Sequence, residues 1–157
     1  MKDKLLSKQG WVILLICIIS FFINNRVVVP DIMEARNMVT AREMVHDGNW
    51  LVPTMNGDLR LEKPPLPTWL TAVAEMISPD NLALQRAMAG FAAILLVAFF
   101  YLTAVQVMRN KRYAFISTIL LCTCYNIILM GRTASWDIYC HAFMMGAIYF
   151  LIRAFAA

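Results

Sequence analysis

The chain is short of charge, of histidine, and of cysteine outside its apolar stretches, and each shortage removes a class of function. Only 15% of its 157 residues are Asp, Glu, Lys or Arg, whereas 61% are hydrophobic and the mean hydropathy is +0.63. Soluble domains carry about 25% charged residues, so the composition excludes an ordinary soluble fold and defines a membrane protein. The two histidines, His46 and His141, have no metal-binding spacing between them, so no histidine-based metal centre is encoded. Cys17, Cys122, Cys124 and Cys140 all fall inside apolar runs. Residues two apart on a helix point to different faces, so Cys122 and Cys124 form neither a redox pair nor a metal clamp and read as packing residues. A net charge of +4 would suggest nucleic acid in a soluble protein, but here the positive charge sits in short connections between apolar runs. No nucleic-acid surface is expected.

What the chain has is apolar length. A spanning helix needs about 20 residues, and four runs are read as crossings: residues 5–23, 88–108, 113–130 and 138–155. In the first, the apolar part begins at Trp11 and Lys8 can snorkel to the head groups. A secretory signal is the competing reading of this segment, but Asn24, Asn25 and Arg26 follow it instead of a small-x-small cleavage site, so an uncleaved anchor is expected. The second run carries no charge, and Arg153 interrupts the end of the fourth. Lys2, Lys4 and Lys8 precede the first run, while Arg109, Lys111 and Arg112 crowd the turn between the second and third. The positive-inside rule therefore puts those ends and Arg153 in the cytoplasm, and residues 24–87 outside. Arg26, Arg36, Arg42, Arg60, Lys63 and Arg86 are outnumbered there by eight acidic residues.

This polar loop is where function is expected. From Pro30 to Asp47 it reads as an amphipathic helix lying along the membrane surface, with Ile32, Ala35 and Val39 and then Met38, Ala41 and Val45 at helical spacing and Gly48 as its stop. Trp50 sits where an interfacial aromatic belongs. Asn56-Gly57 marks a hairpin between Leu51-Val52 and residues 59–61. Pro64, Pro65 and Pro67 delay a second short helix until about Thr68, and Ser78-Pro79-Asp80 breaks it.

Asp31 and Glu34 share one helical face. They form either a capping box on the helix amides or a carboxylate pair in which one member takes a proton from an acceptor hydroxyl. Lys63, held extended by Pro64-Pro65, either grips a phosphate at head-group level or snorkels from a rigid linker. Asp137, at the outer start of the fourth run, either caps that helix or faces Glu34 across an outward cavity. His141, one turn on, either forms a hydrogen-bonded pair with Asp137 or is a buried neutral histidine satisfied by a neighbouring helix, the reading preferred.

The stretch EARNMVTAREMVHDGNWLVPTMNGDLRLEKPPLPTWLTA resembles the first outer loop of the aminoarabinose transferase-like glycosyltransferases, relatives of the protein O-mannosyltransferases. Residues 33–37, Ala41-Arg42-Glu43-Met44, Gly48-Asn49-Trp50-Leu51-Val52-Pro53, Asn56-Gly57, Glu62-Lys63-Pro64-Pro65-Leu66 and Gln85-Arg86-Ala87 carry the resemblance. It implies an all-α integral membrane protein, a multi-span helical GT-C-type bundle with amphipathic juxtamembrane helices in a large first outer loop. It implies a glycosyltransferase that takes a sugar from a polyprenyl-phosphate carrier to a lipid or protein acceptor, on the outer face of a bacterial inner membrane. By the same resemblance Glu34 and Asp31 belong to the active-site loop, Asp137 is the acid of the second outer loop, and Lys63 and Arg36 approach the carrier phosphate. Glu62 is the residue offered to a divalent metal, which only some branches require. Two positions depart: Met33 stands where the family has Asp, and Asn37 where it has Tyr. Members usually have many more spans, so the chain reads as an N-terminal part that is inactive alone. The other reading is a small non-enzymatic membrane protein that binds polyprenyl phosphate or partner helices.

Overall fold

The computed structural model describes residues 8–155. Lys2, Lys4 and the start of the first run lie outside them. Seven helices and one small hairpin follow in the order α1 (Lys8–Phe22), α2 (Ile32–Asp47), β1 (Thr54–Met55), β2 (Asp58–Leu59), α3 (Pro65–Ile77), α4 (Leu82–Met108), α5 (Lys111–Cys122), α6 (Tyr125–Gly131) and α7 (Asp137–Phe155).

The centre is α4. At 1.5 Å per residue its 27 residues extend about 40 Å, more than the hydrocarbon core alone requires. It starts six residues before the expected run because Asn81 caps it, accepting a hydrogen bond from the Leu84 amide, so Gln85 and Arg86 are carried on its first turns. At the other end Arg109 takes a left-handed conformation and Asn110 caps α5 by accepting from the Arg112 amide, which makes the basic connection a tight turn.

Helices α1, α4, α5 and α7 pack around Ile13, Cys17, Phe21, Ala93, Val97, Cys122 and Ile138. Small residues make this packing close. A Cβ on Gly131 would stand 2.7 Å from the Phe21 ring and 2.9 Å from the Ala93 Cβ, and one on Gly146 2.9 Å from the Phe99 ring. Cys17 and Cys122 are buried against each other with their Sγ atoms 3.8 Å apart, the packing role expected of Cys122, whereas Cys124, of which packing was also expected, is exposed, as is Cys140.

The third apolar run is not one straight helix. It divides into α5 and α6, bent by 64° at Thr123-Cys124. No Pro or Gly marks the break; Cys124 is extended, and the hydroxyls of Ser117, Thr118 and Thr123 all bond back to carbonyls of their own helix, which weakens the regular ladder. Among the described residues two helices, α4 and α7, are long and apolar enough to cross a membrane, three if the bent pair counts as one broken span, and α1 is a shorter apolar helix.

Outside this bundle, α2 and α3 lie together around Ala41, Met44 and Ala72, with Trp50 and Trp69 at the edge and Trp69 Nε1 donating to the Trp50 carbonyl. Trp50 therefore closes a small core of its own. The amphipathic reading of α2 is corrected: the buried face is Glu34, Asn37, Thr40, Ala41 and Met44, while Ile32 is 73% exposed. Polar partners on α3 and in the connection between α6 and α7 outweigh the apolar stripe. The hairpin pairs Thr54 with Leu59 and Met55 with Asp58 around Asn56 and Gly57, both at positive φ, shifted from the expected strands. Glu43 of α2 holds it by accepting from the Thr54 hydroxyl at 2.6 Å and from the Asn56 amide. Prolines open α3 earlier than expected, at Pro65.

Candidate functional site

Two polar assemblies join the long polar loop between α1 and α4 to residues 132–136, the connection between α6 and α7. The deeper one centres on Glu34. Its carboxylate is fully buried and accepts both Arg86 Nε and Arg86 Nη2 at 2.7 Å, and also the Ala134 amide at 2.8 Å. Arg86 gives its remaining terminal nitrogen to the Asn25 carbonyl, and Asn25 donates to the Ala83 carbonyl at 3.0 Å. A forked guanidinium–carboxylate pair with its other donors and acceptors filled is the arrangement that makes a buried charge pair tolerable. One turn further, Asn37 donates to the Ala134 carbonyl at 2.8 Å and to Thr71 at 3.0 Å, and accepts from Thr68 at 2.8 Å. Both backbone groups of Ala134 are thus clamped by α2.

That clamp delivers Trp136, two residues on, to the second assembly. Trp136 is 5% exposed and its ring lies 5.1 Å from Arg60 Cζ and 5.4 Å from Lys63 Nζ, both in cation–π range. Thr40, Pro53, Arg60, Lys63, Pro65, Thr68 and Trp136 enclose a cavity of about 10 Å³ between the two loops. Arg60 Nη1 donates to the Arg36 carbonyl at 2.6 Å and to the Thr40 hydroxyl at 2.8 Å. Loss of water pushes the Arg60 guanidinium below its ordinary pKa; Glu62 opposes that shift and Arg36 adds to it.

The residues singled out from the sequence separate on this geometry. Asp31 is the N-cap of α2, accepting the Glu34 amide at 2.7 Å, and is exposed. Glu34 matches neither reading made of it: its carboxylate is taken by Arg86 and Ala134, leaving it neither a reciprocal cap for Asp31 nor a free base. Asp137 opens α7, exposed, and Glu34 reaches the second outer loop through the Ala134 amide and not through Asp137. His141 Nδ1 bonds the Asp137 backbone carbonyl at 2.6 Å within its own helix, so no neighbouring helix satisfies that nitrogen. Lys63 is exposed and joins the cavity.

Arg36 and Glu62 lie instead on an adjoining groove of about 190 Å³, with Asp58 and Arg60. Two carboxylates are matched there by two guanidinium groups. Among the described residues no three His, Cys, Asp or Glu side chains come together. Arg60 and Trp136 were missed as site residues. Arg60 was counted only as loop charge, and the available signal was its place three residues before Lys63 in a chain with few cations.

A helical membrane protein that gathers a polar loop and a cationic cavity at one end of its spans is the class this fold defines. Its course matches a crystal structure of ArnT from Cupriavidus metallidurans bound to undecaprenyl phosphate, with a TM-score of 0.79 and 19% identity over 93% of this chain and 27% of that one. The fold is therefore the GT-C membrane fold. The family model described as dolichyl-phosphate-mannose-protein mannosyltransferase matches residues 11–157, and the chain belongs to that family. Similar proteins include the undecaprenyl phosphate-alpha-4-amino-4-deoxy-L-arabinose arabinosyl transferases of Pseudomonas savastanoi and Shewanella sediminis. The first is 34% identical over 92 residues, 59% of this chain and 17% of that protein. The second is 31% identical over 108 residues, 69% of this chain and 19% of that protein. The chain thus spans less than a quarter of the length of either relative.

Proposed function

We propose that the chain carries the carrier-phosphate site of a glycosyltransferase that moves a sugar from a polyprenyl-phosphate carrier to a lipid or protein acceptor on the outer face of the inner membrane. The observation that carries this reading is Lys63, set at the mouth of α3 by Pro64-Pro65 and brought over Trp136 of the second outer loop. The named relatives, which act on undecaprenyl-phosphate sugars, and the undecaprenyl phosphate bound to the structural neighbour support it. The four-span topology, with the basic ends cytoplasmic and the hairpin outside, belongs to the same proposal.

In the reaction the bond from the anomeric carbon to the carrier oxygen breaks while a bond to the acceptor oxygen forms. The carrier leaves as an anion, so a fixed cation beside it lowers the barrier without proton transfer to the leaving group. Lys63 fills that role, with Arg36 as a further cation on the adjoining groove. A hydroxyl acceptor also needs a base. Asp137 suits it best among the three acids, since its carboxylate is exposed and without a partner among the described residues, whereas Asp31 caps α2 and Glu34 is paired.

The same pairing of Glu34 favours a second reading, in which these residues bind the carrier and do no chemistry themselves. The test is transfer from radiolabelled polyprenyl-phosphate sugars by the longest product of the coding region in membranes. Lys63→Ala should lose carrier binding and transfer together, and Asp137→Asn transfer alone. Full transfer by Asp137→Asn would leave only the binding role.

A further inference from the structure

Two residues that line the cavity with Lys63 each carry a buried donor with nothing to donate to. Arg60 is 7% exposed and Trp136 5%, yet Arg60 Nη2 and Trp136 Nε1 have no hydrogen-bond partner, and both side chains line the same cavity as Lys63. A buried donor left unpaired costs about 1–3 kcal/mol. Two in one cavity point to an acceptor that comes from outside. At about 10 Å³ the space takes one water-sized oxygen atom, so a larger anion would insert a single oxygen and keep the rest at the mouth, beside the exposed Lys63. The guanidinium and the ammonium lie over one indole ring, at 5.1 Å and 5.4 Å from its centroid. Negative charge placed at this ring is attracted to both cations, and more strongly the more charge it carries.

We propose that Arg60 is a phosphate ligand that distinguishes the carrier after the sugar has left, a phosphate monoester, from the sugar-bearing phosphodiester. This rests on the carrier reading above. The diester has one negative charge. When the sugar's anomeric carbon departs, the bridging oxygen and its electron pair stay on phosphorus, and the monoester reaches roughly −1.5 to −2 at neutral pH. The acceptor's proton goes to the base, so the added charge remains on the phosphate. A guanidinium held by the Arg36 carbonyl and Thr40, with its second terminal nitrogen open, meets that charge as it forms.

The experiment is equilibrium binding of undecaprenyl phosphate and of its methyl phosphodiester to the full-length protein in lipid nanodiscs. The unaltered protein should prefer the monoester. Arg60→Gln should lower monoester affinity about 10- to 100-fold, the range of a hydrogen bond to a charged group, and change diester affinity much less. Arg60→Lys should keep part of the preference, and Thr40→Val, which removes one tie to Arg60 and no charge, should keep most of it. Equal losses for both lipids in Arg60→Gln would mean a structural role and overturn the proposal, as would an unchanged preference. Inorganic phosphate displacing the lipid at equal affinity would overturn the assignment to the carrier. Failure of the unaltered protein to bind either lipid would instead sink the carrier reading itself.

Discussion

At the residue scale, Glu34 shows how one buried carboxylate ties the polar loop to the connection between α6 and α7. It is fully buried, and its two oxygens receive the Arg86 fork and the Ala134 amide. Removing one member of such a pair leaves an uncompensated charge, which typically costs about 3–5 kcal/mol. Glu34→Gln and Arg86→Met should therefore each lower thermal stability in detergent sharply. The double replacement should be less damaging than the sum, giving a coupling that a double-mutant cycle measures directly. Additive losses would mean that the pair is not a unit. Because the Glu34 carboxylate also accepts the Ala134 amide, a shift of that side chain when its pairing is broken should displace Trp136 and weaken carrier binding in parallel with the stability change.

At the scale of elements, close packing depends on small residues facing aromatic rings. Gly131 ends α6 with no room for a Cβ between the fully buried Phe21 ring and Ala93. Overpacking of this kind costs about 1–3 kcal/mol, so Gly131→Ala should lower the melting temperature. A second change, Phe21→Leu, should restore part of it by vacating the ring's position. Gly57, whose added Cβ would meet nothing, has only its positive φ to lose, so Gly57→Asn should be tolerated far better than Gly131→Ala. Equal effects at the two glycines would contradict the packing account.

At the scale of the molecule, the helices sort the polar groups to two ends. Tyr101, late in α4, donates to Gln9 at the start of α1, while Asn25, just past α1, bonds near the start of α4. The turn of Arg109, Lys111 and Arg112 is therefore at the same end as Lys8, and the Glu34 and Lys63 assemblies are at the other. With the hairpin outside the membrane, Asn56→Cys should react with a membrane-impermeant thiol reagent in intact cells and Lys111→Cys only after lysis. Reversed labelling would invert the orientation. Residues such as Trp11, Leu15, Phe150 and Leu151 keep large apolar surfaces exposed on α1 and α7, as suits contact with lipid or further helices.

The sequence by itself determined that this is a helical membrane protein with one long polar loop between apolar runs, because apolar length acts locally and can be read along the chain. The cap at Asp31, the Asn56-Gly57 turn and the start of α7 were legible for the same reason. Tertiary structure alone decided which face of α2 is buried, since its partners Thr68, Thr71, Arg86 and Ala134 lie 31 to 100 positions away. It also decided the bend at Thr123-Cys124, which has no Pro or Gly to announce it, and the convergence of Arg60 and Lys63 on Trp136. Such convergence depends on how two loops pack, and no spacing within either loop encodes it.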